Sequence, residues 1–183
     1  MSMQHGAEAP SDWVRRWSHL VPAGGAVVDV ACGQGQHMRW FAGRGHPVAG
    51  VDRSPEAIAA VAEVGEAVIA DIENGPWPFA GRRFAGVVVT NYLWRALMPA
   101  IVDSVEAGGV LLYETFAAGN ETVGKPSRPD FLLQPGELLR LCAGLRIVAY
   151  EDGFVDQPER FVQRIAAVRA HPAEPLARLR LRP

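Results

Sequence analysis

Val27-Val28-Asp29-Val30-Ala31-Cys32-Gly33-Gln34-Gly35 decides the fold of this chain. It begins as the short apolar run that a buried parallel strand requires, then breaks at two glycines one residue apart. Beyond Gly35, the residues Met38, Phe41 and Ala42 stand at helical spacing. The stretch predicts a strand, a tight glycine turn and a helix. Glycine lets the backbone take a positive φ and lets a ligand approach without meeting a Cβ. The first N–H groups of the helix face whatever sits above the turn. Such a turn is a cofactor cradle.

The rest of the chain repeats the same alternation. A second strand is expected over 47–51, ending in Asp52, followed by a helix with Ser54 as N-cap, Pro55 in its first turn and Ile58, Val61 and Ala62 inward. A third strand over 66–70 ends in Asp71, and a Pro/Gly loop replaces the next helix or leaves it short. The fourth strand, 84–89, is apolar throughout. Leu97, Ile101 and Val105 mark a helix that Gly108-Gly109 ends before a fifth strand over 110–115. A long loop, 117–134, precedes a helix opened by Pro135-Gly136-Glu137, with Leu138, Leu139 and Cys142 inward. Two last strands, 145–150 and 161–169, are expected as an antiparallel hairpin on the sheet edge. At the front, Ser11 caps a helix in which Trp13 or Val14, Trp17 and Leu20 recur at helical spacing, with Trp17 expected in the core. The reading is α/β: a doubly wound, mostly parallel sheet in a single domain over 11–170, with a flexible segment 1–10 and a tail 171–183.

Composition narrows the function classes. The 183 residues are 49% hydrophobic and 21% charged with a formal net charge of −2, so no basic surface for nucleic acid is implied. Arg178, Arg180 and Arg182 are expected as a solvated tail. No run of 18 apolar residues suggests a membrane span, and 1–10 lacks the apolar core of a secretory signal. Cys32 and Cys142 lack metal-ligand spacing, which makes a cytoplasmic location the expectation and gives no metal site.

Which cofactor the turn holds follows from charge. A dinucleotide cradle asks for a small residue at the third glycine position, where Met38 stands, and an anion at Asp29 would repel a pyrophosphate. Asp29 instead suits a ligand ammonium. Asp52, 17 residues past Gly35, is near the ~20 expected of a carboxylate on ribose hydroxyls. Asp71, one strand further, can accept from an exocyclic amine. Ammonium, ribose and adenine in that order describe S-adenosylmethionine.

Asp29-Val30-Ala31-Cys32-Gly33-Gln34-Gly35 resembles the first motif of class I S-adenosylmethionine-dependent methyltransferases. Gly50-Val51-Asp52-Arg53-Ser54 resembles the second-strand acid of that family, Ala70-Asp71-Ile72 its adenine-contacting turn, and Ala107-Gly108-Gly109-Val110-Leu111-Leu112 its entry into strand five. The C-terminal third, through Phe131-Leu132-Leu133-Gln134-Pro135-Gly136-Glu137-Leu138 and Val148-Ala149-Tyr150-Glu151-Asp152, resembles the small tellurite-resistance-type methyltransferases. The resemblance implies a Rossmann-like seven-stranded sheet whose last strand is antiparallel. It also implies roles: Asp29 and Gly33 at the methionine end, Gly35 in the turn, Asp52 on the ribose, and Asp71 with Ile72 at the adenine. Ala31, Arg53 and Asn91 complete the expected cofactor contacts.

The transferred methyl would face the end of strand four, where Asn91 and Tyr92 stand, with Glu114 and Tyr113 closing strand five. Asn91, Tyr92 and Glu114 are the catalytic candidates; His37 is expected at the surface. The 117–134 loop is expected to cover a small-molecule acceptor, with Asn120, Lys125, Arg128 and Phe131 lining it. Two alternatives stand beside a methyltransferase: a protein that binds S-adenosylmethionine without turnover, and an NAD(P)-dependent oxidoreductase. Oligomeric state and acceptor identity do not follow from these residues.

Overall fold

In the computed structural model, which describes residues 9–183, the apolar run of the deciding stretch lies inside a seven-stranded sheet. That strand, β1 (Val27–Val30), pairs in parallel with β2 (Val48–Asp52) on one side and β4 (Phe84–Thr90) on the other. β3 (Glu66–Ile69) extends the β2 side, and β5 (Val105–Phe116) pairs in parallel with β4. The order is β3-β2-β1-β4-β5-β7-β6. Strand order reverses between β1 and β4, which opens the crevice where doubly wound sheets bind ligands.

The closing hairpin, β6 (Arg146–Asp156) and β7 (Glu159–Val168), lies on the sheet edge as expected. β7 runs antiparallel to both β5 and β6 and slots between them, so β6 takes the outermost place. Both strands are longer than their sequence suggests, because ladder pairing carries them past the apolar residues. β5 also starts earlier. Val105 pairs with Phe84 rather than ending a helix, and the register shifts before Gly86 pairs with Val110. Gly108 (φ 81°) and Gly109 form this irregularity: a Cβ on Gly109 would stand 2.9 Å from the Phe84 carbonyl oxygen. The glycine pair bends the strand instead of ending the helix.

Helices cover both faces. α1 (Asp12–Trp17), α2 (Gln36–Ala42) and α3 (Pro55–Val61) pack one face through Trp13, Trp17, Met38, Phe41, Ile58 and Val61. α4 (Met98–Asp103) and α5 (Glu137–Leu141) cover the other through Met98, Ile101 and Leu138, joined by Phe79 from the helix-free connection after β3. Trp17 is a core residue, and Ser11 caps α1 by accepting from the N–H groups of Trp13 and Val14. Ser54 caps α3 in the expected way. Two inward expectations fail: Ala62 is exposed, its place taken by Ala57, and Leu139 is 39% exposed because α5 is a five-residue helix with one buried stripe. Arg178, Arg180 and Arg182 are exposed, and no described helix is long and apolar enough to cross a membrane.

Met38 at the third glycine position is accommodated from the opposite side. A Cβ on Gly50 of β2 would lie 2.4 Å from Met38 Sδ, so the small residue that this fit requires sits on the strand. Gly35 is fixed by two demands, a φ of 76° and the approach of α3: a Cβ there would lie 2.1 Å from Val61 Cγ1. Gly33 has φ 51° but open space where its Cβ would be. Gly35→Ala should therefore destabilise by the ~1–2 kcal/mol of a left-handed residue plus ~1–3 kcal/mol of overpacking, against the first term alone for Gly33→Ala. Urea unfolding of the two variants checks this; equal losses would contradict it.

Candidate functional site

Two described non-glycine residues have positive φ, Ala31 (φ 54°) at the end of β1 and Asn91 (φ 53°) at the end of β4. Each marks local strain of ~1–3 kcal/mol, and both border the crevice where strand order reverses. The Asn91 N–H donates to the Glu114 carbonyl at 2.9 Å, which ties the β4 end to β5. The crevice divides into two cavities.

The first, of about 140 Å³, lies over the ends of β2 and β3. Ala31, Asp52, Arg53, Asp71, Ile72 and Tyr92 line it. Asp52 is held by the turn: Oδ2 accepts from the Gly33 N–H at 3.0 Å and Oδ1 from the Ser54 N–H at 2.9 Å. Each of its oxygens retains a second lone pair. Asp71 folds its own loop. Its Oδ1 accepts from the Glu73 and Asn74 N–H groups, and its Oδ2 from the Asn74 amide at 2.9 Å. The Asn74 hydrogen bonds lower the Asp71 pKa, so this exposed carboxylate is an anion at neutral pH. Tyr92 turns its hydroxyl into buried space without a partner, and burial raises its pKa, so it stays a protonated donor. Tyr92 thus belongs to this cavity rather than to the one that Asn91 and Glu114 share.

The second cavity, of about 400 Å³, lies over the ends of β4 and β5 and is bounded by Ser11, Gln36, His37, Asn91, Glu114 and Arg160. Glu114 is 3% exposed and both of its oxygens are engaged. Oε1 accepts from Ser11 Oγ at 2.8 Å, Oε2 accepts from Arg164 Nε, and Arg160 stands 4.0 Å away. Tyr113 is fully buried and donates to the Tyr92 carbonyl at 2.7 Å, a structural link between β4 and β5.

Asp29 lies beneath the glycine turn, 2% exposed, and its Oδ2 has no hydrogen-bond partner. Burial raises its pKa against the opposing pull of His37, and the Asp52 charge adds to the rise. His37 is buried too, contrary to the surface position expected of it. Its Nε2 accepts from the Ser11 N–H at 3.1 Å and its Nδ1 is 3.7 Å from Asp29 Oδ2. A sequence signal for this existed: His37 and Phe41 are four apart and share the buried face of α2. Cys32, also beneath the turn, has its thiol pushed up to about 12 by burial and is inert as a nucleophile.

The distribution of unpartnered atoms points to the same place. Buried polar side-chain atoms normally have partners. Among the described residues those without one are Asp29 Oδ2, Gln36 Oε1, the Tyr92 hydroxyl and Arg160 Nε around the crevice, and three tryptophan indole nitrogens elsewhere.

The loop 117–134 does not cover this cavity. Asn120 is 1% exposed and spends its amide on the fold, donating to the Pro126 carbonyl and accepting from the Phe161 N–H. Lys125 is exposed, and Arg128 pairs with Asp130 at 2.9 Å. Arg95 pins the loop, donating to the Asp130 and Leu132 carbonyls and to both oxygens of Glu137. Arg128 and Phe131 border a separate groove with Trp94 and Arg95. The wall that the loop was expected to form comes instead from Ser11 and Arg160, 149 residues apart in sequence.

Residues 27–109, from β1 into β5, match the family model described as a methyltransferase domain. No curated protein matches the chain in sequence. Among solved structures, TehB from Haemophilus influenzae aligns at TM-score 0.68 and 19% identity, over 86% of this chain and 61% of that one. The chain thus spans about three fifths of that protein's length. A TehB-like SAM-dependent methyltransferase from Corynebacterium glutamicum aligns at TM-score 0.63 and 20% identity, over 86% of each chain. The glycopeptide N-methyltransferase MtfA, in complex with S-adenosyl-L-methionine, aligns at TM-score 0.62 and 18% identity, over 92% of this chain and 99% of that one. The chain shares its fold with these methyltransferases. The likeness to the methyltransferase-domain model covers the crevice-bearing segment, and the fold likeness to TehB agrees with the resemblance of the C-terminal third.

Asp29 is harder to ionise folded than unfolded, so its carboxyl leaves stability intact below the ordinary aspartate range. Stability is then lost as pH rises from that range through the raised folded pKa. Asp29→Asn should accordingly be at least as stable as the parent at pH 7 without ligand, the difference vanishing in acid. Chemical unfolding at several pH values checks this; a variant that is less stable at pH 7 and equal in acid would reverse the sign.

Proposed function

We propose that the protein is an S-adenosylmethionine-dependent methyltransferase acting on a small-molecule acceptor. The observation that carries this reading is the buried Asp29 carboxylate oxygen without a partner, beneath a turn whose Gly33 leaves its Cβ space open. A buried anion awaiting a cation fits an amino-acid ammonium and repels a pyrophosphate. MtfA, which shares the fold, is known in complex with this cofactor.

In this reading Asp29 and Gly33 hold the methionine end, and Gly35 keeps the turn closed against α3. Asp52, positioned by the Gly33 and Ser54 N–H groups, offers its free lone pairs to the ribose hydroxyls. Asp71 takes the adenine amine beside Ile72 and Ala31, with Arg53 at the rim. Tyr92 contributes its unpartnered hydroxyl at the same end. The cofactor supplies an electrophilic methyl group on sulfur. The chain's part is to hold an acceptor in line with that group, and positioning of this kind is worth ~7–11 kcal/mol. Asn91 and Glu114 face the acceptor cavity. Glu114, gripped by Ser11 and Arg164, orients rather than abstracts. The cavity of about 400 Å³ is of small-molecule size, and no further folded unit is inserted among the described elements.

Thermal unfolding with S-adenosylmethionine, S-adenosylhomocysteine, NAD and NADP tests the cofactor. Ligand at 100 times its dissociation constant adds ~2.7 kcal/mol. The two sulfur nucleotides should therefore raise the Tm by roughly 5–11 °C, and NAD and NADP should not. Asp52→Ala should lose at least about tenfold in affinity for S-adenosylhomocysteine, the scale of hydrogen bonds to a charged group. A shift with NAD or NADP alone, or unchanged affinity in Asp52→Ala, would overturn the reading. A protein or RNA as the sole methylated product would overturn the acceptor class.

A further inference from the structure

We propose that His37 is a positioning residue that keeps Asp29 charged and aimed at the ammonium of the cofactor, an inference that rests on the S-adenosylmethionine reading. The Ser11 N–H donates to Nε2 at 3.1 Å, so that nitrogen presents a lone pair and the ring proton resides on Nδ1. Nδ1 stands 3.7 Å from Asp29 Oδ2, the two side chains being 2% and 3% exposed. A neutral ring that turns an N–H dipole toward a carboxylate favours the ionised form. It does so without adding a positive charge that would repel an incoming ammonium. At 3.7 Å the contact is longer than a hydrogen bond, so Oδ2 keeps its capacity to accept from a ligand.

The surroundings make this help necessary. Asp29 on β1 faces His37 of α2 and, across the turn, the like charge of Asp52 on β2, and burial opposes its ionisation. His37 in turn faces Asp29, the Ser11 N–H at the α1 cap, and the cavity bounded by Glu114 of β5 and Arg160 of β7. Ser11 does two jobs at once: its N–H fixes the His37 tautomer, and its Oγ donates to Glu114 at 2.8 Å. The segment before α1 thereby joins the cofactor floor to the acceptor cavity.

Calorimetric titration with two ligands separates this role from a structural one. S-Adenosylhomocysteine carries the amino-acid end; methylthioadenosine keeps the nucleoside and sulfur but lacks it. His37→Leu should bind S-adenosylhomocysteine about tenfold more weakly at pH 7, the scale of a weak contact to a charged group. The deficit should widen toward acid, because the pH below which binding fails moves up when Asp29 loses the N–H dipole that faces it. Methylthioadenosine affinity should not change. His37→Asn, whose amide N–H can stand where Nδ1–H stood, should recover most of the loss. His37→Gln displaces that donor and serves as a second polar variant, with the same selective loss expected. Unchanged S-adenosylhomocysteine affinity in His37→Leu and His37→Gln, or equal loss of both ligands, would overturn the proposal. A parent protein that binds neither ligand would overturn the cofactor reading itself, an outcome visible before any variant is made.

Discussion

A carboxylate buried without a partner is the constraint around which this molecule is arranged. Asp29 sits in β1, covered by α2 and flanked by two strands, where its charge is disfavoured by burial and by Asp52. Such a group gains from a cation beside it, because burial otherwise disfavours its charge. The glycine turn supplies the opening. Gly33 leaves space above the chain, Gly35 lets α2 and α3 close beneath it, and the Gly33 N–H reaches across to hold Asp52. One short turn therefore positions an acid of β1 and an acid of β2 together, the arrangement on which the proposed pairing of an ammonium with a ribose rests.

The acceptor side is built by different means. The glycine turn is local, whereas the second cavity is assembled from residues far apart in the chain. Ser11 meets Glu114 across 103 residues, and Glu114 meets Arg164 across 50. The antiparallel β7, slotted between β5 and β6, brings Arg160 and Arg164 to the end of β5. The hairpin that ends the fold is thus also the element that delivers the cations of the cavity. Arg95, which holds the long loop against α5, keeps that loop as a wall of a separate groove.

Much of this was legible in the sequence where the signal is local. The β1-turn-α2 unit, the caps at Ser11 and Ser54, the missing helix before β4 and the closing hairpin all follow from residues within a few positions of one another. The three acids at successive strand ends were legible for the same reason. What depended on tertiary contact was not. His37 reads as polar and so as surface, yet the buried face of α2 includes it because the Ser11 N–H donates to its Nε2 and its Nδ1 faces the Asp29 carboxylate, both from other elements. The polar loop residues read as a binding surface, but Asn120 spends its amide on the fold itself and Arg128 pairs with Asp130. Met38 reads as an obstacle to close packing, and only the pairing of β1 with β2 shows Gly50 making room for it.

The most direct test of the account is a crystal structure of the protein with S-adenosylhomocysteine. The amino nitrogen should lie within hydrogen-bonding distance of Asp29 Oδ2, the ribose hydroxyls on Asp52 and the adenine between Asp71, Ile72 and Tyr92, with the sulfur facing the cavity of Asn91 and Glu114. A ligand bound with its amino-acid end away from Asp29, leaving Oδ2 still without a partner, would contradict the account at its centre.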